Sequence, residues 1–141
     1  MIRCAMVSDI PRLVEMGEHF HSSSTYSKYL SGNPEQMRKC AEKVLEGDGL
    51  IVSERGGQVT GMLGYIVFPH FMSGEVMGGE VFWWVEPNHR GEGLKLLRAA
   101  EKCARSSGAK RFQMIAPSEE VEKIYEQMGY EYVESTYQKL L

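Results

Sequence analysis

Glu80-Val81-Phe82-Trp83-Trp84-Val85-Glu86-Pro87-Asn88-His89-Arg90-Gly91-Glu92-Gly93-Leu94-Lys95-Leu96-Leu97, running on through Arg98 to Ala104, is the stretch whose reading decides the fold. Val81 to Val85 is an unbroken aromatic and β-branched run, which favours a strand. Pro87 and Asn88 end it, because proline has no N–H to give a ladder. Arg90-Gly91-Glu92-Gly93 reads as a glycine turn, and from Leu94 the spacing is helical. The first N–H groups of a helix have no partner within it, and the helix dipole adds partial positive charge there. Gly91 and Gly93 would permit close approach and unusual dihedrals, and Arg90 adds a full charge. Such a strand–turn–helix suits a phosphate or pyrophosphate.

The common phosphate loops do not fit. Leu96 stands where Gly-x-Gly-x-x-Gly needs its third glycine, and no Gly-Lys-Ser/Thr occurs. A turn that only caps a helix would produce the same short pattern. Arg90-Gly91-Glu92-Gly93-Leu94-Lys95, preceded by Val85-Glu86-Pro87, resembles the acyl-CoA loop of the GNAT acetyltransferases. That loop reads Arg/Gln-x-x-Gly-x-Gly/Ala after a strand ending Val-x-Pro. Lys95 departs from the small residue of the family pattern. Its long side chain either narrows the pyrophosphate site or reaches a CoA phosphate.

The chain has 141 residues, enough for one domain, 1–141, with a real core. A net charge of −3 argues against general nucleic-acid binding. Cys4, Cys40 and Cys103 are an odd, scattered set, so a reducing cytosol is expected over a disulfide framework. No apolar run approaches a membrane span, and no signal peptide precedes Arg3. The localisation expected is cytoplasmic.

In chain order, Met1 to Met6 reads as a strand. Ser8-Asp9 offers an N-cap with Pro11 in the first helical turn, and Ile10, Leu13, Val14, Gly17 and Phe20 follow helical spacing. Asn33-Pro34-Glu35-Gln36 starts a second helix, which Gly47-Asp48-Gly49 ends. Leu50–Glu54 and Gln58–Phe68 read as strands joined at Gly56-Gly57. His70 to Gly79 reads as a loop. After the helix from Gly93, Arg111–Ala116 is a strand and Ser118-Glu119-Glu120 opens a short helix. Tyr130 to Leu140 reads as one or two final strands.

This order is a mixed α/β domain, and it is similar to the GNAT order over nearly the whole chain. Ile124-Tyr125-Glu126-Gln127-Met128-Gly129-Tyr130 is the second match, to a family segment reading aromatic-Tyr-Glu-Lys-x-Gly-Phe. The fold expected is α/β, with a mixed central sheet of six to seven strands, about four helices, and strands splayed at the acyl-CoA site.

The resemblance implies an N-acetyltransferase moving an acetyl group from acetyl-CoA to an amine in a ternary complex, with no metal. His19 and His21, two apart, fall on different helix faces. Acyl transfer needs a neutral amine, although an alkyl ammonium has a pKa near roughly 10. It therefore needs a base, donors for a developing oxyanion, and an acid for the leaving thiolate. The resemblance implies that Tyr125 is that acid; periodicity alone makes it a core tyrosine on an apolar helix face. Glu80 lies near where some GNAT enzymes carry a base. Glu86, on the same face by alternation, and His70 are fallbacks. The resemblance also implies that the pantetheine arm pairs with the backbone of Trp83 and Val85, and that Arg90, Gly91, Glu92, Gly93, Leu94 and Lys95 hold the pyrophosphate. Ser118 stands where many relatives have an arm-contacting Asn, but it is equally an ordinary N-cap. Trp83 and Trp84 must face opposite sides.

Two other readings stay open: a CoA-binding module without catalysis, and a different nucleotide-phosphate binder. The acceptor, a small-molecule or peptide amine, is unnamed by any motif. The base among Glu80, Glu86, His70 and water is open, as is the length of the acyl group. GNAT domains often pair, so a homodimer is also open.

Overall fold

A computed structural model describes residues 1–141. The element order is β1 (Ile2–Cys4), α1 (Ile10–Ser23), α2 (Pro34–Glu46), β2 (Leu50–Arg55), β3 (Gln58–Pro69), β4 (Val76–Val85), α3 (Gly93–Ser106), β5 (Arg111–Gln113) and α4 (Glu119–Gln127). The sheet has five strands in sequential order, antiparallel except for the parallel β4–β5 pair. This corrects the expected six to seven strands. Tyr130 to Leu140 is not strand. The fold class and the four helices are as expected.

Local chemistry explains most boundaries. Asn33 caps α2 by accepting from the Gln36 N–H at 3.1 Å, with Pro34 at its first position. Asp9 precedes α1 but does not cap it. Its carboxylate takes a bidentate grip from Arg3 (2.8 and 3.0 Å) and the Met6 N–H (2.7 Å). The β2–β3 hairpin turns at Gly56 and Gly57, both at positive φ. β4 begins earlier than expected, at Val76. Gly78 and Gly79, read as loop, are strand residues that the packing needs. A Cβ on Gly78 would lie 2.7 Å from the Phe112 ring, and one on Gly79 3.1 Å from Phe68.

The sheet has a core on each face. On one, α1 and α2 bury Ile10, Leu13, Met16, Ala41 and Val44 against Leu50, Val52, Met62 and Trp84. On the other, α3 and α4 bury Leu96, Leu97, Ala100, Ala104 and Tyr125 against Ile51, Leu63, Tyr65 and Val85. Trp83 packs with this second core, so the two tryptophans do face opposite sides.

One irregularity in β4 governs the site. Tyr65 pairs with Glu80 and Gly64 with Phe82, so Val81 is an extra residue opposite one step of β3. Such a bulge inverts side-chain alternation beyond it. Glu80 before it and Trp83 and Val85 after it all face the α3–α4 side. Glu86 faces the α1 side, not the face of Glu80 as simple alternation predicts.

Candidate active site

β4 and β5 pair only from Met77/Arg111 to Gly79/Gln113. β4 continues to Val85, so Glu80–Val85 has no strand partner on its β5 side. The expected splay is therefore present, and it opens at Glu80.

Glu80 spans the opening. Its carboxylate accepts from the Ile115 N–H at 2.9 Å. Burial pushes its pKa up from the usual carboxylate range to about 7, although the Ile115 N–H favours the charged form. The same peptide residue holds Tyr125, whose hydroxyl donates to the Ile115 carbonyl at 2.8 Å. Tyr125 is 6 % exposed. Its ring stacks on Trp83 at 6.0 Å and tilts against Tyr130 at 5.5 Å. Burial, and then the charge of Glu80, raises its pKa far above that of a free phenol, so it stays protonated. Ile115 thus ties together the two expected catalytic residues, one through N–H and one through C=O. The sequence carried no signal for Ile115.

Past Val85 the chain makes a 3-10 turn, Pro87–Glu92, kinked at His89, and enters α3. Neither Gly91 nor Gly93 has positive φ, so unusual dihedrals are not the reason for these glycines. Gly93 is helical, and its missing Cβ makes room for Trp83, which would lie 3.3 Å away. A Cβ on Gly91 would meet nothing within 4 Å. Its place at the α3 entrance is open for a ligand.

The charges around this entrance are not all where the sequence suggests. Arg90 lays its guanidinium over the Trp84 ring, 4.7 Å from the centroid. Glu92 turns inward. Thr60 Oγ1 donates to its carboxylate at 2.8 Å, and Arg55 Nε approaches at 3.0 Å. Burial opposes its charge, but these partners and Ser53 hold its pKa below the usual range. Only the main chain of Glu92 is available to an anion. Leu94 and Lys95 are exposed in the first turn of α3. Ser118 caps α4, accepting from the Val121 N–H at 3.4 Å.

Glu86 accepts from Trp84 Nε1 (2.8 Å) and pairs with His19 (3.0 Å), with Arg12 at 3.9 Å. The bulge, absent from any period-2 count, removes it from the face of Glu80. His70 sits in the β3–β4 turn, where its Nδ1 accepts from the Met72 N–H at 3.1 Å. No group of three or more His, Cys, Asp or Glu residues is arranged to hold a metal ion.

A family-wide sequence profile, that of the Acetyltransferase (GNAT) family, matches residues 14–130. The chain belongs to the GNAT acetyltransferase family. Solved GNAT-like structures superpose over its whole length. A GCN5-related N-acetyltransferase from Ralstonia eutropha JMP134 has TM-score 0.78 and 20 % identity, over 99 % of this chain and 97 % of that one. An acetyltransferase from Trypanosoma brucei has TM-score 0.74 and 20 % identity, over 100 % and 99 %. AAC(6')-Iy, solved with the bisubstrate analog CoA-S-monomethyl-acetylneamine, has TM-score 0.77 and 14 % identity, over 100 % and 98 %. At these identities the likeness concerns the fold. No curated protein sequence matches the chain. GNAT acetyltransferases use acetyl-CoA.

Proposed function

We propose that this GNAT chain is a single-domain N-acetyltransferase that moves an acetyl group from acetyl-CoA to an amine, with Glu80 as general base and Tyr125 as general acid. The observation that carries the reading is the Glu80–Ile115–Tyr125 cluster, seated where β4 and β5 part. A carboxylate with a pKa of about 7 is poised to accept a proton near neutral pH. A phenol kept protonated beside it can return one.

The residues present fit acetyl-CoA. The unpaired β4 edge offers main-chain groups of Trp83 and Val85 to an extended arm. The α3 entrance, with Gly91 facing open space, supplies the positive end of a helix for the pyrophosphate. Arg90, Glu92, Gly93 and Leu94 contribute through their backbone, and Lys95 through its ammonium. Ser118 borders the far side while capping α4. Trp83 Nε1 is buried without a partner, a donor left free at this wall. When bound, acetyl-CoA supplies an activated thioester and a thiolate leaving group. Glu80 then takes the ammonium proton of the acceptor, directly or through a water, and Tyr125 donates toward the sulfur. The Ile115 peptide holds both side chains in register.

The acceptor is proposed to be a small-molecule or peptide amine, and the three unpaired cysteines suit a reducing cytoplasm. No helix is long and apolar enough to cross a membrane. A second reading, a CoA-binding module without transfer, is favoured by Ser118 serving as an N-cap and by the Tyr125 hydroxyl already being engaged. Acetyl-CoA consumption across a panel of amines and aminoglycosides, beside CoA calorimetry, tests both. Amine-dependent consumption supports the enzyme. CoA binding without consumption supports the module. No CoA binding refutes both.

A further inference from the structure

A cavity of about 270 Å³ lies on the α1 side of the sheet, behind the turn that leads from β4 into α3. Arg12, Glu15 and His19 come to it from α1, where spacings of three and four residues put them on one stripe. Gln58, which opens β3, forms a second side, and Glu86 and His89, on either side of Pro87-Asn88, form a third. No large apolar side chain lines it. Sites for drug-sized ligands are mostly apolar and run to roughly 300–1,000 Å³. A cavity below that range with only polar walls selects a small, strongly polar occupant.

Its groups are held in place, and some of their bonding capacity is unspent. Arg12 Nε donates to the Val59 carbonyl at 2.9 Å, and Nη1 reaches Glu15 at 3.0 Å. A guanidinium has five N–H donors, so several remain. Glu86 is fixed by Trp84 Nε1 at 2.8 Å and by His19 at 3.0 Å. Burial opposes its charge, but these partners and Arg12 hold its pKa below the usual carboxylate range. Glu15 is 59 % exposed and is paired with Arg12 alone. His89 Nδ1 is buried without a partner, a costly state for a ring nitrogen. Such a nitrogen donates or accepts according to tautomer, so it can meet either kind of polar group.

We propose that this cavity is a binding site for a polar α-amino acid, separate from the acyl-transfer site. Two carboxylates and one guanidinium share the lining, so a ligand of a single sign meets a like charge wherever it sits. A zwitterion does not. Its ammonium pairs with Glu15 and Glu86, and its carboxylate takes the spare N–H groups of Arg12. Gln58 and His89 are left for its side chain, which the polar walls require to be polar as well. The site lies outside the transfer reaction. Glu86 faces α1 whereas Glu80 faces α3 and α4, so an amino acid held here is across the sheet from the base and is not the amine that receives the acetyl group.

Calorimetry on the full chain without CoA, using each of the twenty L-amino acids with L-glutamine as the first probe, tests this. At least one polar amino acid should bind at a single site with a Kd below about 1 mM. Its N-acetyl derivative, which lacks the ammonium, and its decarboxylated amine, which lacks the carboxylate, should each bind at least about tenfold more weakly. Glu15→Gln and Arg12→Gln should weaken binding by a similar factor, with far-UV circular dichroism unchanged. In NMR spectra the ring signals of His19 and His89 should shift on addition of the amino acid, and those of His70, in the β3–β4 turn, should not. If Arg12→Gln unfolds, Glu15→Gln and the two analogues still decide. The proposal is overturned if none of the twenty binds at roughly 10 mM, if either analogue binds as well as the amino acid, or if Glu15→Gln binds it unchanged.

Discussion

Replacing Glu80 by Gln removes a charge and keeps the shape. The amide oxygen can still accept from the Ile115 N–H, so the geometry of the Ile115 link to Tyr125 is preserved. Two effects then separate. As a base, Glu80 is lost, and general base contributions are typically about 10²–10⁴-fold, so kcat should fall by at least about a hundredfold. The acid limb of the wild-type pH–rate profile, centred near the pKa of about 7, should disappear with it. Stability should move the other way. Between the ordinary carboxylate value of 4.5 and about 7, folded Glu80 keeps a proton that the unfolded chain has released. The native state binds more protons there, so wild-type stability falls as pH rises through that window. Above it the buried charge costs on the order of 3–4 kcal/mol, at roughly 1.4 kcal/mol per pKa unit. Glu80→Gln escapes that loss, so its Tm should exceed the wild-type Tm by several degrees at pH 8 and converge with it near pH 4. Differential scanning calorimetry across pH 4–8, with steady-state kinetics on the same preparations, reads both quantities. A variant with full activity, or with the same pH dependence of Tm as the wild type, refutes the assignment.

Tyr125→Phe should lower kcat at least about tenfold with little change in KM for acetyl-CoA. It should also cost about 1 kcal/mol of stability in urea unfolding, because the Ile115 carbonyl loses its donor. Gly93→Val should weaken CoA binding tenfold or more, about 1.4 kcal/mol by calorimetry, by crowding Trp83 and the pyrophosphate entrance. Gly91→Ala, whose new methyl meets no protein atom, should fold with an unchanged Tm. Glu92→Ala should destabilise the fold by about 1–3 kcal/mol through the abandoned Thr60 and Arg55, read as a lower urea midpoint. Lys95→Ala should raise the CoA dissociation constant more at low than at high salt, because the contact is electrostatic. Tighter binding would show that the lysine only obstructs.

The fold was legible where short-range chemistry decides. Asn33-Pro34, Gly56-Gly57 and the apolar stripe of α3 each act within a few residues, and each element lies where its residues place it. The helix after Val85-Glu86-Pro87 was legible for the same reason. What failed depended on distant partners. Gly78 and Gly79 look like loop until Phe112 and Phe68 stand over them. The strand-like residues of 131–141 find no partner within the chain. At the site, Tyr125 and Glu80 could be named from the sequence, but the peptide that joins them could not. Ile115 acts through its backbone, which no side-chain motif records. Glu92 likewise reads as part of an anion loop until Thr60, thirty-two positions earlier, takes its carboxylate. The bond from the Tyr125 hydroxyl to the Ile115 carbonyl likewise leaves no trace in the motif around Tyr125.

The single extra residue at Val81 breaks the link between odd or even sequence position and sheet face in β4. Deleting it would leave Phe82 directly after Glu80, paired with Gly64 beside Tyr65 in an unbroken ladder, and every downstream side chain would keep the face it has now. Trp83 and Val85 would stay on the side of Glu80 and Tyr125, and Trp84 and Glu86 on the side of Phe20 and His19. Substituting Val81 by another β-branched residue should be tolerated, and deleting it should remove the bulge while keeping the contents of both cores. Aligning a relative's catalytic carboxylate with this chain therefore calls for an indel-aware count. Six positions separate Glu80 from Glu86 here, and a relative without the insertion places the same two opposite faces five positions apart.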